Sequence, residues 1–245
     1  KVYIFLSVCY TRHLQGAFPI FCKHSLLTVG WHIVSQISCM INPDRVWNPV
    51  RVGFSISYYG CKKTGILPIY SRYVVGWMVA HREQATLAQR LISDSCEKQT
   101  IKPEQLIIHA DRGSSMTSKP VAFLLSDLGI TKSHSRPYVS NDNPYSESQF
   151  KTLKYRPDFP SNFGSIEDAR VFCKSFFTWY NKEHHHSGIG LLKPEDVHYG
   201  RTGQIMKERS LVLKTAFENH PERFKGISPK PPSTPVAAWI NKPKT

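Results

Sequence analysis

The sequence predicts an α/β fold with a helical C-terminal side, and three observations carry that reading. Short β-rich runs alternate with amphipathic stretches between Tyr73 and Ser135. From Pro144 onward the periodicity is helical, up to a Pro/Lys-rich tail. Hydrophobic residues make up 40% of 245, enough to bury the core of one large domain or of a medium domain with an appendage.

Residues 1–68 set no clear period, and Asp44 is the sole acid among the first 65. From Ile69 the signals sharpen. "YVVGWMVA" (73–80) suits a buried strand, and "EQATLAQRLISDSCEKQ" (83–99) lines up Leu87, Ala88, Leu91 and Ile92 on one helical stripe. "QLIIHAD" (105–111) is a short apolar run ending in an acid, as a central strand would. "KPVAFLLSDLG" (119–129) reads as a helix closed by Gly129, and "ITKSHS" (130–135) as the next strand. A polar loop then leads into a helix bearing Glu147. Ser165 and Asp168 form a capping box for a further helix, whose Ala169, Phe172, Cys173, Phe176, Phe177 and Tyr180 repeat on one face. Pro194 opens a short helix, 203–219 is helical, and the tail beyond Ser228 is extended.

The formal net charge is +14, from 32 Lys+Arg against 18 Asp+Glu, which points to a polyanionic partner and first of all to nucleic acid. The six cysteines form no CxxC pair, which disfavours a zinc ribbon or a thioredoxin-type site and fits reduced thiols in a cytoplasm. No apolar run reaches the roughly 18 residues of a membrane span, so no membrane partner is expected. The chain does not open on Met, and an N-terminal truncation is the expectation.

Asp111 and Glu147 are the acids to weigh, separated by 35 residues. Each has a plain reading as a surface charge, Asp111 at a strand end and Glu147 favoured by a helix dipole. The alternative is chemistry. Hard divalent cations such as Mg²⁺ (or Mn²⁺) take carboxylate oxygens, and in-line displacement at phosphorus needs acids from separate elements beside cations for the phosphates. Lys151 and Lys154, four and seven residues beyond Glu147, share its helical face.

"HADRGSSM" (109–116) and "SNDNPYSESQFKTLKY" (140–155) resemble the second and third acidic motifs of DDE transposases, the retroviral-integrase-like enzymes of bacterial insertion sequences. "IYSRYVVGWMVAHRE" (69–83), "FFTWYNKEHHHSGIGLLKPEDVHYGR" (176–201) and "NHPERFKGISPKPP" (219–232) agree, so the likeness runs from Ile69 to the end. It implies an RNase H-like fold, a mixed five-stranded sheet flanked by helices, with an integrase-like core at 69–202 and a helix and extended basic tail at 203–245. It also implies that Asp111 and Glu147 are catalytic metal ligands for Mg²⁺ or Mn²⁺ and that Lys154 sits near the DNA end. Lys151, Arg112 and Arg136 are further candidates for DNA contact, and His109, Asp142 and Asn143 for support of the site. His109 has an equal reading as a buried core histidine, and Asp142 and Asn143 as makers of the turn before the helix.

The likeness breaks where the family carries its first acid, on the opening strand in a Trp-x-x-Asp-Ile-Thr setting. "NPDRVW" (42–47) resembles the approach, but no Asp or Glu follows until Glu83. Pro49 removes a backbone donor where a central strand is expected. Residues 1–68 therefore read as an atypical segment, frame-shifted or partly disordered, with Asp44 the one acid able to substitute upstream.

The histidines at 184–186 lack the spacing of a zinc site and suit helix-end capping or phosphate contact. Phe176, Phe177, Trp179 and Tyr180 read as core rather than as a stacking platform for bases. The expectation is a transposase acting by metal-dependent phosphoryl transfer on transposon ends and target DNA, impaired by loss of the first acid. The alternatives are a non-catalytic DNA-binding remnant and a nuclease that cuts without joining. A homo-oligomer on DNA, a separate helix-turn-helix chain for end recognition, and a cytoplasmic, nucleoid-associated location complete the picture.

Overall fold

The computed structural model describes residues 61–110, 113–136, 142 and 144–240, together with four strands in the first 58 residues. Those strands are β1 (Val2–Leu6), β2 (Ile37–Met40), β3 (Pro49–Val52) and β4 (Ser57–Tyr58). They are followed by β5 (Cys61–Ile66), β6 (Gly76–Ala80), α1 (Ala85–Lys98), β7 (Leu106–Ala110), α2 (Lys119–Asp127) and β8 (Thr131–His134). The helices α3 (Pro144–Lys154), α4 (Ile166–Lys182), α5 (Pro194–His198) and α6 (Thr202–Asn219) complete the chain.

One sheet has the order β3-β2-β1-β7-β8, with β1 antiparallel to β2 and parallel to β7, and β7 parallel to β8. This is a mixed five-stranded sheet flanked by helices, as the RNase H-like resemblance implies. A second, antiparallel sheet has the order β4-β5-β6. In the first 60 residues, where no period could be read, the described residues thus form four short strands. Pro49 opens β3 at the sheet's edge rather than interrupting a central strand, a place where a missing N–H is tolerated. Asp44 lies outside the described residues.

Alternation along the strands divides the core. Ile66 and Met78 join Leu91, Ile92, Leu106, Ile108 and Val121 beneath α1 and α2. Leu67, Trp77 and Val79 turn the other way and meet Leu153 of α3 and Phe176, Phe177 and Tyr180 of α4. Phe176, Phe177 and Tyr180 of α4 are therefore core, with Phe172 and Trp179 partly buried against them. Gly76 lets α1 approach β6 closely, since a Cβ there would overlap Ser95 Oγ.

The outer edge of β6 and of the residues leading into it is engaged by side chains. Asn181 of α4 accepts the Val74 N–H at 2.8 Å and donates to the Val74 carbonyl at 3.0 Å, while Arg170 donates to the Val79 carbonyl. Such covering blocks strand addition by another chain. The expected cap of α4 is present, with Ser165 Oγ accepting from Asp168 N at 3.0 Å. Ile189, Leu192 and Val197 form a third cluster, against which Ile205 and Met206 anchor the start of α6. Among the described residues no helix is long and apolar enough to cross a membrane.

Candidate functional site

The site is built around α3 and the loop that follows β7. Asp142 prepares the entry to α3. It is 2% exposed, and its carboxylate accepts from the Arg136 backbone N at 2.9 Å, from Nε at 3.0 Å and from Nη2 at 2.8 Å. This fork ties the end of β8 to the start of α3 and raises the Arg136 guanidinium above its ordinary pKa. Asp142 thus secures the turn, and Arg136 keeps 63% of its side chain exposed while engaged.

Pro144 occupies the first helical position of α3, where its missing N–H costs nothing. Glu147 sits in the first turn and Lys151 and Lys154 in the last, each at the end the helix dipole favours. Lys151 is exposed, and Lys154 is part-buried with its ammonium 5.7 Å from the Tyr155 ring centroid. The inward stripe of α3 is Ser146, Gln149 and Leu153. Ser146 Oγ and both polar atoms of the Gln149 amide are buried without a hydrogen-bond partner among the described residues.

On the other side, β7 presents Leu106 and Ile108 to the core beneath α1 and α2, so Ile107 and His109 face the opposite way. His109 is buried, with Nδ1 2.9 Å from Ser133 Oγ and Nε2 3.0 Å from Ser135 Oγ. It knits β7 to β8. Asp111 follows β7 directly in sequence; it lies outside the described residues, as do Arg112 and Asn143.

The loop 113–118 is held from several directions. Glu83 Oε1 accepts from Ser115 N at 3.2 Å, Lys132 Nζ donates to the Met116 carbonyl, and Thr117 Oγ1 and Ser118 Oγ donate to carbonyls of Gly113 and Ser115. Burial lowers the Lys132 pKa. Reading the sequence missed Glu83 and Lys132. A lysine between Thr131 and Ser133 in a strand beside the core was the available signal for the latter.

The three consecutive histidines diverge. His184 stacks on Tyr180 with centroids 5.2 Å apart, His185 Nδ1 lies 2.8 Å from the Leu191 carbonyl, and His186 accepts from Gly188 N. His186 thus caps the short turn Ser187–Ile189 rather than the end of α4, whose C-cap is Glu183. Among the described residues no three His, Cys, Asp or Glu side chains gather as a potential metal site.

Two models of the integrase core domain match overlapping stretches of the chain, residues 61–140 and 128–194. The chain is 30% identical over 171 residues to a Lactococcus lactis transposase for insertion sequence element IS904, covering 67% of this chain and 65% of the relative. It is 29% identical over 131 residues to the Escherichia coli K12 transposase InsF for IS3A, covering 53% of this chain and 45% of that protein. The chain therefore spans about two thirds or less of the length of these relatives. Among solved structures it is similar to the catalytic core domain of BIV integrase, at 20% identity and a TM-score of 0.45, over 63% of this chain and 95% of that one.

Proposed function

Because the chain belongs to the integrase-core transposases of bacterial insertion sequences, we propose that its chemistry is DNA strand cleavage and joining by phosphoryl transfer. The observation that carries this reading is the layout of α3, with Glu147 in the first turn and Lys151 and Lys154 in the last. Glu147 and Asp111 would hold a divalent cation, Mg²⁺ or Mn²⁺, and carboxylate oxygens suit such hard ions. When bound, that ion acidifies the attacking water or 3′-hydroxyl and neutralises charge developing at phosphorus.

The remaining work falls to the chain's own groups. Lys151 and Lys154 continue along the helix from Glu147 and would take DNA phosphates as fixed cations. Arg112 and the exposed side of Arg136 would extend that basic track. The fastened loop 113–118 and the Asp142 fork would keep both approaches to the site rigid, which in-line displacement demands. Action on transposon ends as a homo-oligomer, with a separate helix-turn-helix chain for end recognition and a place on the nucleoid in the cytoplasm, belongs to the same proposal.

The donor set fits the ion in kind but falls one short in number. The family uses three carboxylates, and no Asp or Glu occurs between Asp44 and Glu83. We therefore propose that strand transfer by this chain is impaired. The same observation favours the second reading, a DNA-binding remnant without chemistry.

A Mg²⁺-dependent strand-transfer assay on a labelled DNA end separates the two. Weak product formation that Glu147→Gln abolishes is the outcome expected of the enzyme. Tight, steeply salt-dependent DNA binding with no product would assign the chain to the remnant.

A further inference from the structure

We propose that Tyr145 is a positioning residue for Glu147 and that the C-terminal tail is the element that holds it in place. This rests on reading Glu147 as a metal ligand.

Tyr145 is the second residue of α3 and is clamped from two sides. The Arg72 guanidinium carbon lies 3.8 Å from its ring centroid, and the Tyr145 hydroxyl donates to the Trp239 carbonyl at 3.0 Å. The tail around that carbonyl is fastened. Ala238 is 5% exposed and belongs to the core cluster of Met116 and Val121, against which Tyr145 and Ile240 also pack. Earlier in the tail, the Pro232 and Ser233 carbonyls press on Gly190, where a Cβ would lie 2.9 and 3.1 Å from them. Gly190 has φ +68, so both its conformation and its lack of a side chain suit the passing strap.

The Arg72 side of the clamp is costly. Arg72 is buried, its backbone is left-handed at φ +61, and its Nε and Nη1 have no hydrogen-bond partner among the described residues. Such a cation opposes stability unless its placement does something. What it has in return is chiefly Tyr145, on whose ring face it lies and whose phenol, with that of Tyr180, favours its charge.

Helix geometry connects this clamp to the chemistry. Two residues along a helix correspond to about 200° around its axis, so Tyr145 and Glu147 project to nearly opposite sides. Holding the ring of one sets the rotation of α3 and so aims the carboxylate of the other. The inward stripe fixes that rotation poorly, because Ser146 and Gln149 bury polar atoms with no partner.

The test uses the full chain, Tyr145→Phe, a chain ending at Pro235, and Glu147→Gln. Backbone hydrogen exchange is compared between α3 and α4, and Mn²⁺ affinity is titrated alongside. Removing the tail should speed exchange in α3 by about tenfold or more, leave α4 unchanged, and weaken Mn²⁺ binding severalfold. Tyr145→Phe, which keeps the ring and the fold, should shift both readouts the same way by a smaller factor. Unchanged α3 exchange in both variants, with Mn²⁺ binding lost in Glu147→Gln, would overturn the positioning role alone. Mn²⁺ binding that survives Glu147→Gln would overturn the metal reading, and the tail's hold on α3 would then be judged by exchange alone.

Discussion

Helices α3 and α4 meet in one core cluster yet are secured by different means. α4 carries its own stability: a serine cap, Glu167 and Asp168 in its first turn, Lys182 in its last, and an inward face of Ile166, Ala169, Cys173, Phe176, Phe177 and Tyr180. Its one buried amide, Asn181, is satisfied by both backbone groups of Val74. α3 buries Ser146 and Gln149 with idle polar atoms, and Leu153 is its one buried apolar residue. It is held from outside, by the Asp142 fork at its start, the Tyr145 clamp, and Arg156 after its last turn, which lies over the Trp179 ring at 4.2 Å. The helix that serves as scaffold is consistent at every level. The helix bearing Glu147, the proposed metal ligand, departs from those rules and relies on its neighbours, a pattern expected of functional elements.

The sharpest way to break this contrast is to empty the α4 side. Phe176 is 2% exposed and packs against Phe177, Trp179 and Tyr180. Phe176→Ala should cost about 3–5 kcal/mol by lost transfer energy and the cavity left behind. Thermal unfolding should show a correspondingly lower midpoint, whereas a shift below about 1 kcal/mol would mean that α4 is less decisive than its packing says.

Acid probes the scaffold half next. Burial drives the pKa values of His186 and His198 down to about 4 from an ordinary 6.5, with Arg72 and then His184 adding to the effect on His186. His198 is set up to stay neutral, its Nε2 2.7 Å from Gln99 Oε1 and its Nδ1 3.2 Å from Ser71 Oγ. Both groups bind protons more readily when the chain is unfolded. Their contribution is therefore complete above pH 6.5 and is lost as pH falls toward 4. The loss should be on the order of 2 kcal/mol per histidine at the acid end. Denaturant midpoints that do not move between pH 7 and 5 in the wild type, or that still fall as steeply in His198→Gln, would contradict this.

What the sequence disclosed divides along the same line. The ranges of α1, α2, α4, α5 and α6 and of β6, β7 and β8 were readable because caps, prolines and hydrophobic periods act over a few residues. So was α3, with Glu147 and both lysines on it. β1 to β5 were not, because no sustained alternation or helical spacing marks the stretch that contains them. Pro49 suggested a broken central strand because its place at the edge is decided by the strand order of the whole sheet, β3-β2-β1-β7-β8, and not by its neighbours in sequence. The Arg72–Tyr145–Trp239 chain was equally hidden. It joins residues 73 and 94 positions apart, and no local pattern marks Arg72 as buried.

Smaller perturbations refine the comparison. Ser165→Ala removes a cap that α4 possesses in addition to its packing, so the cost should be about 1 kcal/mol. Hydrogen exchange should quicken in the first turn of α4 and not in its middle. Exchange that spreads along the whole helix would show that the cap, rather than the aromatic face, holds α4.

The least effect is expected where the contrast is most direct. Gln149 is 2% exposed, and neither end of its amide has a partner. Gln149→Leu should relieve the cost of desolvating that amide, offset in part by repacking a branched side chain, for a net gain below about 1 kcal/mol. The gain should appear as a higher denaturant midpoint with an unchanged slope. A loss of stability would mean that the buried amide is satisfied in solution and that α3 is as self-consistent as α4. If stability rises while Mn²⁺ affinity stays level, the Tyr145 clamp rather than the inward stripe sets the aim of Glu147.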